Sequence, residues 1–214
     1  MTMRITVLGA AGAVGRRVVA EALSRDHEVT AVVRDPARFA DPPAGARVRT
    51  ADARSAEDVA RLAAGQDVVI TATRPAPGGE PELVTAAKAL LAGLAGTGVR
   101  LLVVGGAATL TVPGTGGLTV VEEPGFPAEW RPIALACADQ LAACRAATGV
   151  DWAYLSPPAL LEPGERTGAY RLGADELLVD AGGESRISME DLAVALLDEA
   201  ENPRHHRTRF TVGY

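Results

Sequence analysis

The chain reads as an α/β protein built on a doubly wound parallel sheet with helices on both faces. Three observations carry that reading. Apolar, β-branched runs alternate with Ala/Leu-rich segments of helical spacing along most of the 214 residues. Glycine stands just before an apolar run in "AAGQDVVI" and "GTGVRLLVV", where a helix has to stop. With 48% hydrophobic but only 4% aromatic residues, the core must be built from Ala, Val and Leu, which suits close helix–sheet packing. Alternating strands and helices imply right-handed crossovers, and those set the strands parallel.

In chain order, a first strand is expected at Ile5–Leu8, then a glycine-bearing loop and a helix over Val14–Leu23. Strands at Val29–Val33 and Val48–Thr50 precede a helix at Ala56–Ala63. A fourth strand, Val68–Thr71, leads to a helix at Glu82–Leu94, and a fifth strand spans Leu101–Val104. Gly105–Arg131 is a long Gly/Pro-rich loop with Phe126 and Trp130 near its end. A helix at Pro132–Ala146 and a sixth strand at Trp152–Leu155 follow. Leu160–Gly183 is irregular, with "YRLG" and "ELLVD" as short strands. Ser188 and the acids behind it form the N-cap and first turn of a last helix through "LAVALLDEA". Both irregular stretches follow strands, so both should emerge at the carboxyl edge of the sheet, where α/β proteins bind ligands.

Bulk properties remove several classes of function. The net charge is −6 and no block of like charges occurs, which argues against a nucleic-acid-binding face. No apolar segment is long enough to span a bilayer, and the N-terminus runs directly into a strand, so a cytoplasmic location is expected. Cys137 and Cys144 are spaced for one face of a helix and read as packing residues, not metal ligands. No metal site is expected.

The stretch "ITVLGAAGAVGRRVV" carries the chemistry. Gly9, Gly12 and Gly15 lie between the first strand and a helix starting near Ala13. Lacking a Cβ, glycine lets backbone N–H groups approach a pyrophosphate, and the positive end of the helix points at it. That is the geometry of a dinucleotide loop in a Rossmann-type fold, here spaced GxxGxxG; a plain structural turn is the competing reading. The second strand ends "VVRDP". Where many dinucleotide folds place an acid for the ribose 2′-hydroxyl, this chain offers Arg34 first, with Arg38 one turn on. A guanidinium attracts a 2′-phosphate, which favours NADP(H) over NAD(H). Asp52, after the third strand, either meets the adenosine side or caps the next helix.

"GAAGAVG" followed by "AVVRDPAR" resembles the atypical short-chain dehydrogenases, the NmrA-like and biliverdin-reductase-B-like group. "VVGGAATL", "YLSPPALLEPGERTGAYRLG", "SRISMEDLAVALLDE" and "HRTRFTVGY" resemble a bacterial subgroup known provisionally as NADH-flavin reductases. The similarity spans nearly the whole chain. It implies one NAD(P)-binding domain over 1–214, with a cofactor half to about residue 104 and substrate-side loops within 105–187. It implies a cofactor loop of Gly9, Ala10, Gly12, Ala13, Val14 and Gly15, a 2′-phosphate arginine at Arg34, and cofactor positions at Asp52 and Ala53. Thr71, Ala72 and Thr73 follow the fourth strand, and the nicotinamide-side backbone falls on Gly105, Gly106, Pro157 and Ala159.

One family feature is missing. Most short-chain dehydrogenases activate a Tyr with a Lys four residues on. The only lysine is Lys88, and Val84 stands four before it. An alcohol dehydrogenase or sugar epimerase would need that base. A conjugated acceptor such as a flavin or quinone takes hydride without a dedicated acid, so the expected function is NADPH-dependent reduction of such an acceptor. The alternative is a non-catalytic NADP(H) sensor of NmrA-like type. Catalytic residues cannot be assigned from the sequence. For the acceptor, Arg74 could attract an anionic tail and Phe126 could supply an aromatic face. Trp130 either stacks on the acceptor or pins the long loop to the core. A monomer or homodimer is expected.

Overall fold

The computed structural model describes all 214 residues. β1 (Arg4–Leu8) runs through the middle of an eight-stranded sheet. β2 (Glu28–Val33) and β3 (Arg47–Thr50) lie on one side of it; β4 (Val68–Thr71), β5 (Arg100–Val104), β6 (Trp152–Ser156), β10 (Thr208–Gly213) and β8 (Arg171–Gly173) lie on the other. The order is β3-β2-β1-β4-β5-β6-β10-β8, parallel throughout except for the antiparallel edge strand β8. This is a Rossmann-type doubly wound sheet. β7 (Leu160–Glu162) and β9 (Arg186–Ser188) form a separate parallel pair.

The inner strands are buried on both faces, which is why they read as unbroken apolar runs. Residues 5–8 of β1 and all of β4 and β6 are buried. On one face, α1 (Ala13–Ser24) and α5 (Met189–Glu201) lay Val18, Val19, Leu192 and Leu196 against Ile5, Val7 and Ile70. On the other, α2 (Ala56–Ala63), α3 (Pro81–Leu94) and α4 (Arg131–Ala146) bring Val59, Leu90, Leu94 and Leu141 onto Val69, Leu101 and Trp152. Each buried Leu or Val contributes about 1.5–3 kcal/mol relative to exposure. Cys137 and Cys144 both lie on α4 and are unpaired. Burial pushes their thiols up, to about 11 and about 12.

One expected strand is corrected. "YRLG" contains β8, but "ELLVD" is not a strand: Glu176 makes a single bridge to Thr111, and Leu177 donates its backbone N–H to the Thr111 carbonyl at 2.8 Å. That segment lies against the long loop instead of joining the sheet, and Asp180 turns it by accepting from the Gly182 and Glu184 N–H groups. In the other direction, β10 is a buried sheet strand that apolar patterning misses. Its Arg209 is buried because Asp175 pairs with it and Thr109 accepts from it at 2.6 Å. No helix is long and apolar enough to cross a membrane.

Candidate cofactor site

The strand order reverses between β1 and β4: the chain winds outward to β3, then returns to the other side of β1. A crevice opens at such a switch point, beyond the carboxyl ends of the strands. Here it is a cavity of about 460 Å³ lined by the ends of β1, β2, β3 and β4 and by the first turns of α1 and α3.

The three glycines do different jobs. Gly9 has φ +79°, and a Cβ on it would lie 2.6 Å from the Ala72 carbonyl oxygen, so only glycine fits the β1–α1 turn where it passes the end of β4. Gly15 is buried, and a Cβ there would lie 2.1 Å from the Gly9 carbonyl oxygen. Its absence lets α1 seat directly on the loop. Gly12 is the N-cap of α1 and is exposed; its Cβ would meet the Gly9 oxygen at 3.2 Å. α1 starts with no side-chain cap and no acid in its first turn, whereas Ser55 caps α2 and Ser188 caps α5. The first N–H groups of α1 therefore face the cavity without a side-chain acceptor, an arrangement that favours an anion.

At the far end of the cavity, charges from three elements meet. Arg34, at the end of β2, donates from Nη1 to Glu82 Oε2 on α3 at 3.0 Å. Arg54, beyond β3, pairs its Nη1 with Glu82 Oε1 at 2.8 Å and grips Asp52 with Nε and Nη2 at 3.0 and 2.7 Å. The Arg54 guanidinium holds the Asp52 carboxyl below the usual carboxylate range, against a smaller opposing effect of burial. Asp52 does not cap α2. That position is taken by Ser55, and the Asp52 side chain instead accepts from the Arg54 N–H at 2.9 Å.

Of the residues singled out from the sequence, Gly9, Gly12, Ala13, Val14, Arg34, Arg38, Asp52, Ala53, Ala72, Thr73 and Arg74 line this one cavity. Ala10, Gly15 and Thr71 are buried beneath it and shape the loop rather than face the space. Gly105 and Gly106 follow β5 at the same edge. A Cβ on Gly105 would overlap the Tyr154 ring at 2.0 Å, and one on Gly106 would press on Cys137 at 2.9 Å. Their lack of side chain serves close packing. Pro157 is buried and Ala159 exposed just past β6. Neither aromatic of the long loop lines the cavity. Phe126 packs on Ala108, Val121 and Ala134, while Trp130 is 54% exposed, so it does not pin the loop to the core. The loop's anchor is Phe126, with the Arg131 guanidinium 5.6 Å from its ring centroid.

Among the lining residues that escaped sequence reasoning are Arg54, Glu82, Leu83, Ala86, Leu161 and Met189. Arg54 and Glu82 stand in loop and first-turn positions where surface charges are ordinary; only the close approach of α3 to the ends of β2 and β3 joins them. Leu161 and Met189 arrive through the β7–β9 pair, whose strands are three residues each.

A family model described as NAD(P)H-binding matches residues 9–203 of the chain. Three solved structures align over essentially the whole fold. An exported protein of provisional name from Burkholderia pseudomallei is 40% identical, with TM-score 0.89 and complete coverage of both chains. A protein from Bacteroides thetaiotaomicron provisionally named an epimerase is 38% identical, with TM-score 0.90, covering 100% of this chain and 98% of that one. One from Streptococcus pneumoniae TIGR4, provisionally named an NADH-flavin reductase, is 32% identical, with TM-score 0.88 and 99% coverage of each chain. The names differ while the fold does not, so fold likeness alone does not select a reaction. With its glycine loop, its switch-point cavity and this match along nearly its whole length, the chain belongs to the NAD(P)H-binding family.

Proposed function

We propose that the protein is an NADPH-preferring reductase that delivers hydride to a conjugated acceptor of the flavin or quinone class. The observation that carries it is the cavity in which the open N-terminus of α1 and the guanidinium of Arg34 face the same space. The residues fit a nicotinamide dinucleotide. Gly9, Gly12, Ala13 and Val14 would take the pyrophosphate, Arg34 and Arg38 the 2′-phosphate, and Asp52 and Ala53 the adenosine side. Ala72, Thr73, Gly105, Gly106, Pro157 and Ala159 would flank the nicotinamide end. When bound, the cofactor supplies the hydride.

The chain's own residues bind and orient; none is placed as a proton donor. Tyr154 is buried and donates to the Cys137 carbonyl at 3.0 Å, and burial lifts its phenol well above the usual range. Tyr170 donates to Asp198 at 2.6 Å and Tyr214 to Asp191 at 2.7 Å, both away from the cavity. Lys88 is exposed on α3. With no Tyr–Lys pair, a ring that spreads the incoming charge and takes its proton from solvent is the substrate this site suits, which separates it from an epimerase or alcohol dehydrogenase. The NADH-flavin reductase name of the Streptococcus relative supports the same class.

In this reading residues 1–104 form the cofactor half, from which Arg74 meets the acceptor's anionic tail, and 105–187 supply the acceptor side, where Trp130 offers an exposed aromatic face. In the same reading the protein works in the cytoplasm as a monomer or homodimer, with no nucleic-acid or membrane partner. The test is to mix purified protein with NADPH and FMN, riboflavin or a quinone and follow nicotinamide absorbance. Turnover supports the proposal; tight NADPH binding without turnover on any acceptor assigns a sensor instead.

A further inference from the structure

We propose that Glu82 is an internal stand-in for the cofactor's 2′-phosphate, and that its carboxylate limits how strongly the protein prefers NADPH over NADH. The inference rests on the cavity being an NAD(P)H site. One carboxylate is held by two guanidiniums from separate elements: Oε2 lies 3.0 Å from Arg34 Nη1, and Oε1 lies 2.8 Å from Arg54 Nη1. Two cations converging on one oxyanion is how a phosphate is bound, and here the chain fills the position itself. All three side chains line the cavity.

A surface ion pair at a helix start would be the plainer account, since an acid in the first turn of α3 suits the helix dipole. It does not explain why both partners are the arginines facing the cavity. The charges also decide something. Arg34 and Arg54 are balanced by Asp52 and Glu82, so with Glu82 inward these four groups sum to zero, and Arg38 and Asp35, which also line the cavity, add one charge of each sign. With Glu82 turned out, Arg34 loses its carboxylate partner and the three remaining groups carry one net positive charge. Glu82 is 39% exposed, so solvent is open to it and turning out breaks no core packing. A phosphate monoester carries roughly −1.5 to −2 charge with three acceptor oxygens, enough to displace a single carboxylate. A 2′-hydroxyl has no charge with which to displace it. NADPH therefore binds at the cost of that ion pair, and NADH does not.

The test is calorimetric titration of wild type, Glu82→Gln and the double variant Arg34→Ala/Glu82→Gln with NADPH, NADH, 2′,5′-ADP and 5′-AMP. The last two carry or lack the phosphate without the nicotinamide. Glu82→Gln should tighten NADPH and 2′,5′-ADP about fivefold, the weight of one solvent-screened ion pair. NADH and 5′-AMP should stay within about twofold, and the gain should vanish in the double variant. An unchanged or lowered NADPH-to-NADH ratio in Glu82→Gln, with wild type still binding NADPH, overturns the stand-in role and leaves the cavity reading intact. If wild type binds none of the four nucleotides, the cavity reading falls and the stand-in role falls with it.

Discussion

Gly15→Ala adds one methyl group at the tightest point of the cofactor loop. The new Cβ would lie 2.1 Å from the Gly9 carbonyl oxygen, 2.8 Å from its carbon and 3.0 Å from the Ala10 Cα. Real Cβ contacts do not fall below 3.0 Å, so α1 or the loop must move by about one ångström. Every clashing atom is backbone, so no rotamer can relieve it. α1 is held on its other side by α5 and the β1 core, so it cannot retreat freely. Overpacking of this kind costs about 1–3 kcal/mol. For a chain of this size that is roughly 2–12 °C in Tm. The same movement would turn the first N–H groups of α1 away from the cavity, so NADPH affinity should fall as well. Thermal denaturation and NADPH titration of Gly15→Ala, beside Gly12→Ala as a control, would read both effects. Gly12→Ala has ordinary φ and a contact of 3.2 Å, and should lose less than about 1 kcal/mol of stability. A Gly15→Ala protein with wild-type Tm and wild-type NADPH affinity would refute the role given to that glycine.

Arg34→Ala should weaken NADPH by about tenfold and NADH far less, the low end of a charge-assisted contact because the side chain is 58% exposed; equal losses in a titration would remove its role. Gly12→Val should abolish cofactor binding while circular dichroism shows the fold kept; normal NADPH affinity would make the loop only a turn. Glu199→Gln should lower stability by about 2 kcal/mol, since it removes the nearer of the two carboxylates on buried Arg100, Glu199 at 2.6 Å, and leaves only Asp151 at 3.3 Å. Burial raises the Glu199 carboxyl, but Arg100 and the His205 and Arg204 N–H groups outweigh it and hold the carboxyl below 4.5. A lowered folded-state value gives stability that is fully present above pH 4.5 and is lost as the pH falls from there through the lower folded-state value, so the gap between variant and wild type should close on acidification; a gap that widens in acid would contradict this. Trp130→Ala should fold normally, because the side chain is exposed, and should raise the acceptor KM with NADPH affinity unchanged; unaltered acceptor kinetics would exclude it from the acceptor site.

Strands β1, β2, β4, β5 and β6 were legible in the sequence because burial on both faces demands unbroken apolar runs. The loop glycines were legible because their positions, between a strand and a helix, leave few other uses. β10 was hidden by Arg209, whose charge is matched by Asp175 from a distant loop; no local pattern carries that pairing. "ELLVD" misled because a short apolar run serves equally to pack under a loop. Glu82 and Arg54 were invisible for a related reason. Their contact depends on where α3 starts relative to β3, and sequence spacing does not encode it. Arg34 and Asp52 could be placed at the site because the fold fixes where β2 and β3 end, while the identity of their partners could not.

Hydride delivery from NADPH to a conjugated acceptor at the β1–β4 crevice is the reaction proposed for this protein. Its most direct measurement is stopped-flow absorbance of NADPH with wild-type protein and FMN, riboflavin or a quinone, with Arg34→Ala run alongside. The nicotinamide band should be lost only when both protein and acceptor are present, and the variant should need about tenfold more NADPH for the same rate. NADPH that binds tightly yet keeps its absorbance with every acceptor would contradict a reductase and leave an NADP(H)-sensing protein in its place.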